Sequence, residues 1–188
     1  MDVRKILEKW PEESREAAQL VIDKYGDPDE LTDSMLIWNH VGPWKRLVAY
    51  RDFDSHNFPY PHHDSVESFI DYDVPVDKFD DLAEFDGSVV ANRTRGELSA
   101  RCHDEEANSL ALNLADDIIH GRKTVREARD YYAYEFLAYR RKKPTPYMEA
   151  LRFRPLRKAD PDLPLLSDEQ IKAAIKEGHE KAKGPIHS

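Results

Sequence analysis

The sequence predicts an α+β fold: an antiparallel sheet of two β-hairpins packed against a helical hairpin, followed by an extended C-terminal arm. Three observations carry this expectation. Two pairs of short runs rich in branched and aromatic residues are each joined through a glycine, at Gly42-Pro43 and at Arg95-Gly96. Two consecutive stretches between Asp104 and Lys143 place apolar residues at helical spacing, with a start and a stop signal on each. From Pro144 onward prolines recur at short intervals, which suits extended chain better than regular structure.

Taken in order, Pro11-Glu12-Glu13 suits a helical first turn, and Ala17, Ala18, Leu20, Val21 and Tyr25 form a stripe ended by Gly26. MLIWNHV and WKRLVAY then read as the first hairpin. Asp64-Ser65-Val66-Glu67 has the spacing of a capping box and predicts a short helix starting at Asp64, and Pro75 to Leu82 predicts another helical turn or two. SVVANRT and ELSARC form the second hairpin, with Leu98, Ala100 and Cys102 on one face and Glu97, Ser99 and Arg101 on the other. Ala107, Leu110, Ala111, Leu114, Ala115 and Ile118 make the strongest stripe, stopped at Gly121. A second capping box, Thr124-Val125-Arg126-Glu127, opens a helix through Ala128, Tyr132, Phe136 and Tyr139. The segment PTPYMEALRFRPLRKADPDLP is expected to be extended, and Ser167-Asp168-Glu169-Gln170 to cap a peripheral last helix. The organisation expected is a single α+β domain over residues 1–153 and, over 154–188, a basic arm with a peripheral helix.

Composition narrows the functional classes. No basic-then-apolar leader opens the chain and no apolar run approaches the roughly 18 to 20 residues of a membrane span, so a soluble cytoplasmic protein is expected. The lone Cys102 excludes an intrachain disulfide and a multi-cysteine zinc site, and it fits a reducing compartment. A net charge of −9 disfavours nucleic acid and anionic membranes as partners. The charge is uneven, however: Arg140 to Lys158 holds eight basic side chains against Glu149 alone, a net of +7, while residues 1–139 carry −14. Such an arm is expected to clamp onto the acidic body of its own or another subunit, giving a homo-oligomer. The alternatives are a solvated surface, or an anionic ligand or RNA.

Three places could carry chemistry. HNFPYPHHD puts His56, His62, His63 and Asp64 within nine residues, and imidazole with carboxylate suits a divalent metal such as zinc, iron or manganese. Pro59 and Pro61 stiffen that stretch, while adjacent His62 and His63 point apart in an extended chain, so only one of them joins His56. Asp64 would be lost to the set if it caps a helix. Cys102, next to a helix start, has the geography of a nucleophile, but its parity with Leu98 and Ala100 equally suits an inert core thiol. Glu97 and Arg101, with Ser99 between them and Arg93, Asn39, His40 or Arg46 nearby, could floor a pocket, or could simply be cross-strand ion pairs.

The set NHVGPWKR, HNFPYPHHD, RGELSARC, ALNLADDI and PTPYMEALRF resembles a group of uncharacterised bacterial proteins of similar length, over about Trp10 to Phe153. The resemblance implies a bacterial origin and no activity, fold or ligand. The group has a histidine before the asparagine of the first motif where this chain reads Asn39-His40, so no role passes to His40. The functional expectation is a small enzyme acting on a small polar or anionic molecule. His56, His62, Glu97, Arg101 and Cys102 are its candidate catalytic residues, and His56, His62, His63 and Asp64 its candidate metal ligands. The opposing expectation is a non-catalytic oligomer-forming or partner-binding protein that works through its arm.

Overall fold

The computed structural model describes residues 2–156 and 162–182. Helices α1 (Val3–Leu7) and α2 (Glu12–Tyr25) precede strands β1 (Glu30–Leu31), β2 (Met35–Asn39), β3 (Arg46–His56) and β4 (His62–Asp71). A 3-10 turn (Val76–Lys78) runs into α3 (Phe79–Phe85), then come β5 (Val89–Asn92), β6 (Glu97–Cys102), α4 (Glu105–Ile119), α5 (Val125–Arg140), α6 (Pro146–Glu149) and α7 (Asp168–Ala182). The strands form one antiparallel six-stranded sheet in the order β1-β2-β3-β4-β6-β5. No helix among the described residues is long and apolar enough to cross a membrane.

Both expected hairpins are present, β2–β3 and β5–β6, but the sheet is held together by a third one, β3–β4. The helix expected from Asp64 is strand β4. The capping-box spacing loses to the alternation Asp64, Val66, Ser68, Ile70, whose side chains are all buried on one face. In the first hairpin, Gly42 is required: it sits at φ +53°, and a Cβ there would fall 2.7 Å from the Tyr25 hydroxyl.

Leu36, Trp38, Leu47, Ala49, Val66, Ile70, Leu98 and Ala100 share the buried face, against which α2 and α4 pack. In α2 the buried side is Ser14, Ala17, Ala18 and Val21, while Leu20, expected in the stripe, is exposed. Helix α4 is buried all round, because α5, α6 and α3 lie against its outer side. The helical hairpin therefore covers the sheet with one helix only. Each of Leu110, Leu114 and Ile118, fully buried, contributes about 1.5–3 kcal/mol. The capping box of α5 is complete, with Thr124 and Glu127 each accepting from the other's backbone N–H.

A helix buried on every side must satisfy its polar residues internally. Asn108 donates to the Val66 carbonyl and to Ser68 Oγ, both at 2.9 Å, tying α4 to β4. Asn113 donates to the carbonyls of Tyr147 and Ala150, both at 2.9 Å, and accepts from the Arg152 N–H at 2.7 Å. These bonds turn the segment expected to be extended into a strap that begins with the helical turn Pro146–Glu149 and buries Met148. Residues 162–179 are exposed, and Arg157 and Lys158 of the basic segment lie outside the described residues. Arg140, Arg141, Lys142 and Lys143 are exposed on the single chain.

Candidate metal centre

The β3–β4 hairpin sets the histidines. His56 pairs with His62 across the ladder, Ser55 with His63 and Asp54 with Asp64, so His56, His62 and Asp64 share one face and His63 the other. The turn between them is pinned by Phe58, which packs against Tyr132 with ring centroids 5.0 Å apart and lies under the Arg129 guanidinium at 4.0 Å. The Phe58-Pro59 peptide is cis.

Asp64 is 1% exposed and accepts from Ser88 Oγ at 2.7 Å through Oδ2, which also lies 3.1 Å from His56 Nδ1. His62 Nδ1 lies 2.7 Å from the Tyr60 carbonyl. A carbonyl only accepts, so Nδ1 carries a proton, and in the imidazolium form Nε2 carries a second one. Nε2 lies 2.9 Å from Asp64 Oδ1, within reach to donate to it. Oδ1 is buried, so this contact is held together by a proton on Nε2 or by a cation in its place. Cys102 Sγ lies 3.3 Å from the same nitrogen.

One ligand atom from each of His56, His62 and Asp64 falls within 4.8 Å of the others. Tetrahedral ligands at roughly 2.1 Å from one ion lie about 3.4 Å apart, so the widest separation would have to close by up to about 1.4 Å for all three to coordinate. The Tyr60 carbonyl on Nδ1 leaves Nε2 as the His62 nitrogen turned toward Asp64. Asp86, buried, lies behind His56 with Oδ1 3.6 Å from Nε2, and accepts from the Ser88 N–H at 2.8 Å.

Electrostatics follow from this packing. Burial alone would raise the Asp64 pKa, but His62, Ser88 and His56 outweigh it and hold the carboxyl below its usual range. Burial would also lower His62, yet Asp64 and the Tyr60 carbonyl together raise it. Asp86 is pushed up, mainly by burial and further by the charge of Asp64.

The other expected residues are placed as follows. His63 is turned away from the group: its ring stacks on Phe53 at 4.0 Å and its Nδ1 bonds to Glu13. Cys102 touches His62 and Tyr132, but burial, then the nearby Asp64 and Asp104, push its thiol well above the usual range, so in the metal-free chain it is a protonated core thiol rather than an activated nucleophile. Arg101 lies flat over Tyr50 at 4.2 Å, pairs with exposed Asp54 at 2.6 Å and donates to the Asp52 carbonyl at 2.9 Å. It lines a cleft of about 420 Å³ together with His56, Asp64, Glu67 and Ser88.

Glu97 is at the other end of β6, opposite Asp71, and the structure does not bring it to the histidines. It is buried and paired with Lys45 at 2.8 Å and Arg46 at 3.6 Å, which makes it a structural anion. Burial would raise its pKa, but Lys45 and Arg46 outweigh burial and lower it. A carboxylate lowered on folding stabilises the fold above its unfolded pKa, and that contribution fades as pH falls through the folded value. Glu97→Gln is therefore expected to destabilise the chain at neutral pH, with the gap to wild type closing below the ordinary glutamate value of 4.5. Urea denaturation across pH 3 to 7 measures this, and a gap independent of pH would contradict it.

Asp86 and Ser88 escape sequence reading because their only signal is proximity in space, supplied by the α3–β5 turn. The fold and the site thus define an α+β chain with a His-His-Asp group, its aspartate buried and its histidines half-buried, of which His56 and Asp64 line a cleft. Comparison with protein-family models, with curated proteins and with solved structures finds no match.

Proposed function

We propose that this chain is a metal-dependent enzyme acting on a small polar or anionic molecule, with His56, His62 and Asp64 holding a divalent cation. The observation that carries the reading is the convergence of ligand atoms from His56, His62 and Asp64 within 4.8 Å of one another, with His62 Nε2 2.9 Å from Asp64 Oδ1, His56 Nδ1 3.1 Å from Oδ2 and the Tyr60 carbonyl on the far nitrogen of the His62 ring. Nitrogen and carboxylate donors suit zinc, iron or manganese. A cation there supplies Lewis acidity at the cleft wall.

The chain's own groups do the rest. Asp86 and Ser88 orient His56 and Asp64 from behind, and Glu67, held by Tyr50 at 2.9 Å and Ser99 at 2.7 Å, lines the cleft. Arg101 orients an anionic substituent, which displaces the exposed Asp54 carboxylate. The ion pair given up is a surface one, worth at most about 1 kcal/mol.

Elemental analysis of purified protein is expected to find about one zinc, iron or manganese per chain. Adding the metal at about 100 times its Kd to stripped protein is expected to stabilise it by about 2.7 kcal/mol. For a chain of this size that raises Tm by roughly 5 to 10 °C. Absence of stoichiometric metal together with an unmoved Tm sinks the reading.

A further inference from the structure

A cavity of about 760 Å³ lies away from His56 and His62, at the opposite end of β4. It opens between Tyr72, the C-terminal turns of α4 and the strap that carries Arg152 and Arg154. In a chain that is net negative, the lining of this cavity is net positive: four cations, Arg122, Lys123, Arg152 and Arg154, against the three carboxylates of Asp73, Asp116 and Asp117.

Two of the cations are aimed from below. Asp116 and Asp117 are buried, and Asp117 binds Arg122 Nε at 2.6 Å and Lys123 Nζ at 2.7 Å, while Asp116 binds the other end of the same guanidinium. The two carboxylates are themselves fixed by hydroxyls, Asp116 by Tyr72 at 2.5 Å and Asp117 by Tyr147 at 3.0 Å. The other two cations, Arg152 and Arg154, are exposed and form no ion pair among the described residues. Their backbone is not free to drift, because Asn113 holds the Tyr147 to Arg152 strap by three hydrogen bonds and Leu156 bridges to Tyr72. Tyr72 and Phe153, edge to face at 5.4 Å, add an aromatic wall.

We propose that this cavity binds a phosphorylated small molecule of nucleotide size. Guanidinium forks match phosphate oxygens in pairs, the volume falls in the range of small-molecule sites, and the prefixed strap lowers the ordering cost of binding. The proposal rests on residues separate from the His-His-Asp group and stands whether or not that group holds a metal.

The test is isothermal titration of the full chain with pyrophosphate, ADP and adenosine at one fixed ionic strength, in wild type and in the double variant Arg152→Gln, Arg154→Gln. Both positions are exposed, so the variant is expected to keep the wild-type Tm. Pyrophosphate and ADP are expected to bind saturably and adenosine at least tenfold more weakly, with the double variant losing at least tenfold in affinity for both phosphates. The proposal is overturned by the absence of saturable heat with either phosphate, or by adenosine binding as tightly as ADP. It is equally overturned by binding that survives the double substitution, as binding through a metal at His56, His62 and Asp64 would.

Discussion

Replacing Asp64 by alanine is expected to weaken metal binding by at least about 100-fold, since even the loss of an outer-shell partner costs 10- to 100-fold. The substitution removes the oxygen that faces His62 Nε2 and the acceptor of Ser88 Oγ and His56 together. His63→Ala is the control, because that ring stacks on Phe53 outside the group and its loss should leave affinity within about twofold. Titration of stripped protein with zinc or manganese, followed by Tm, reads both variants. Equal affinity in wild type and Asp64→Ala would remove Asp64 from the site. Equal losses in the two variants would point to damage to the hairpin rather than to a ligand set.

Asn113→Ala is expected to cost about 3 kcal/mol or more, a large effect for one side chain on a helix. It leaves the Tyr147 and Ala150 carbonyls and the Arg152 N–H without their partner, and a buried group stripped of its bond costs about 1–3 kcal/mol. At this chain length the loss lowers Tm by roughly 6 to 12 °C. Because the same bonds hold the strap, Arg152 and Arg154 should lose their fixed position. Amide exchange should then accelerate first over residues 147–153 and only later in the sheet. A drop in Tm below about 2 °C would show that the strap is held by burial of Met148 and Phe153 alone.

These two residues also mark how far the sequence can be read. Asn113 sits in the most regular helical stripe of the chain and carries no local signal, because its partners are some 34 to 39 residues away. Asp64 carries a misleading one. Its capping-box spacing is real, but a cap requires the chain to turn at that residue, and pairing with Asp54 on β3, continued from Val66 by pairing with β6, keeps the strand extended. The histidines were half legible. Alternation separates His62 from His63 in any extended backbone, so the rule that only one joins His56 needed no structure. That the Tyr60 carbonyl leaves Nε2 of His62 turned toward Asp64 and that Asp86 and Ser88 close the group from another loop required coordinates.

The sequence by itself determined the α+β class, the two glycine-joined hairpins, the order of α2, α4 and α5, the capping box of α5, and the short list on which His56, His62 and Asp64 appear. Those features rest on periodicity, turn chemistry and capping, which act over a few residues. Tertiary structure alone decided that the stretch after the histidines is a central strand and that Glu97 belongs to a Lys45 and Arg46 cluster. It also decided that α4 is wrapped on all sides and that the basic strap faces a cavity beside Asp116 and Asp117. Each of these depends on burial and charge pairing between segments far apart in the chain, where the cost of an unpaired buried group selects one arrangement and local spacing is silent.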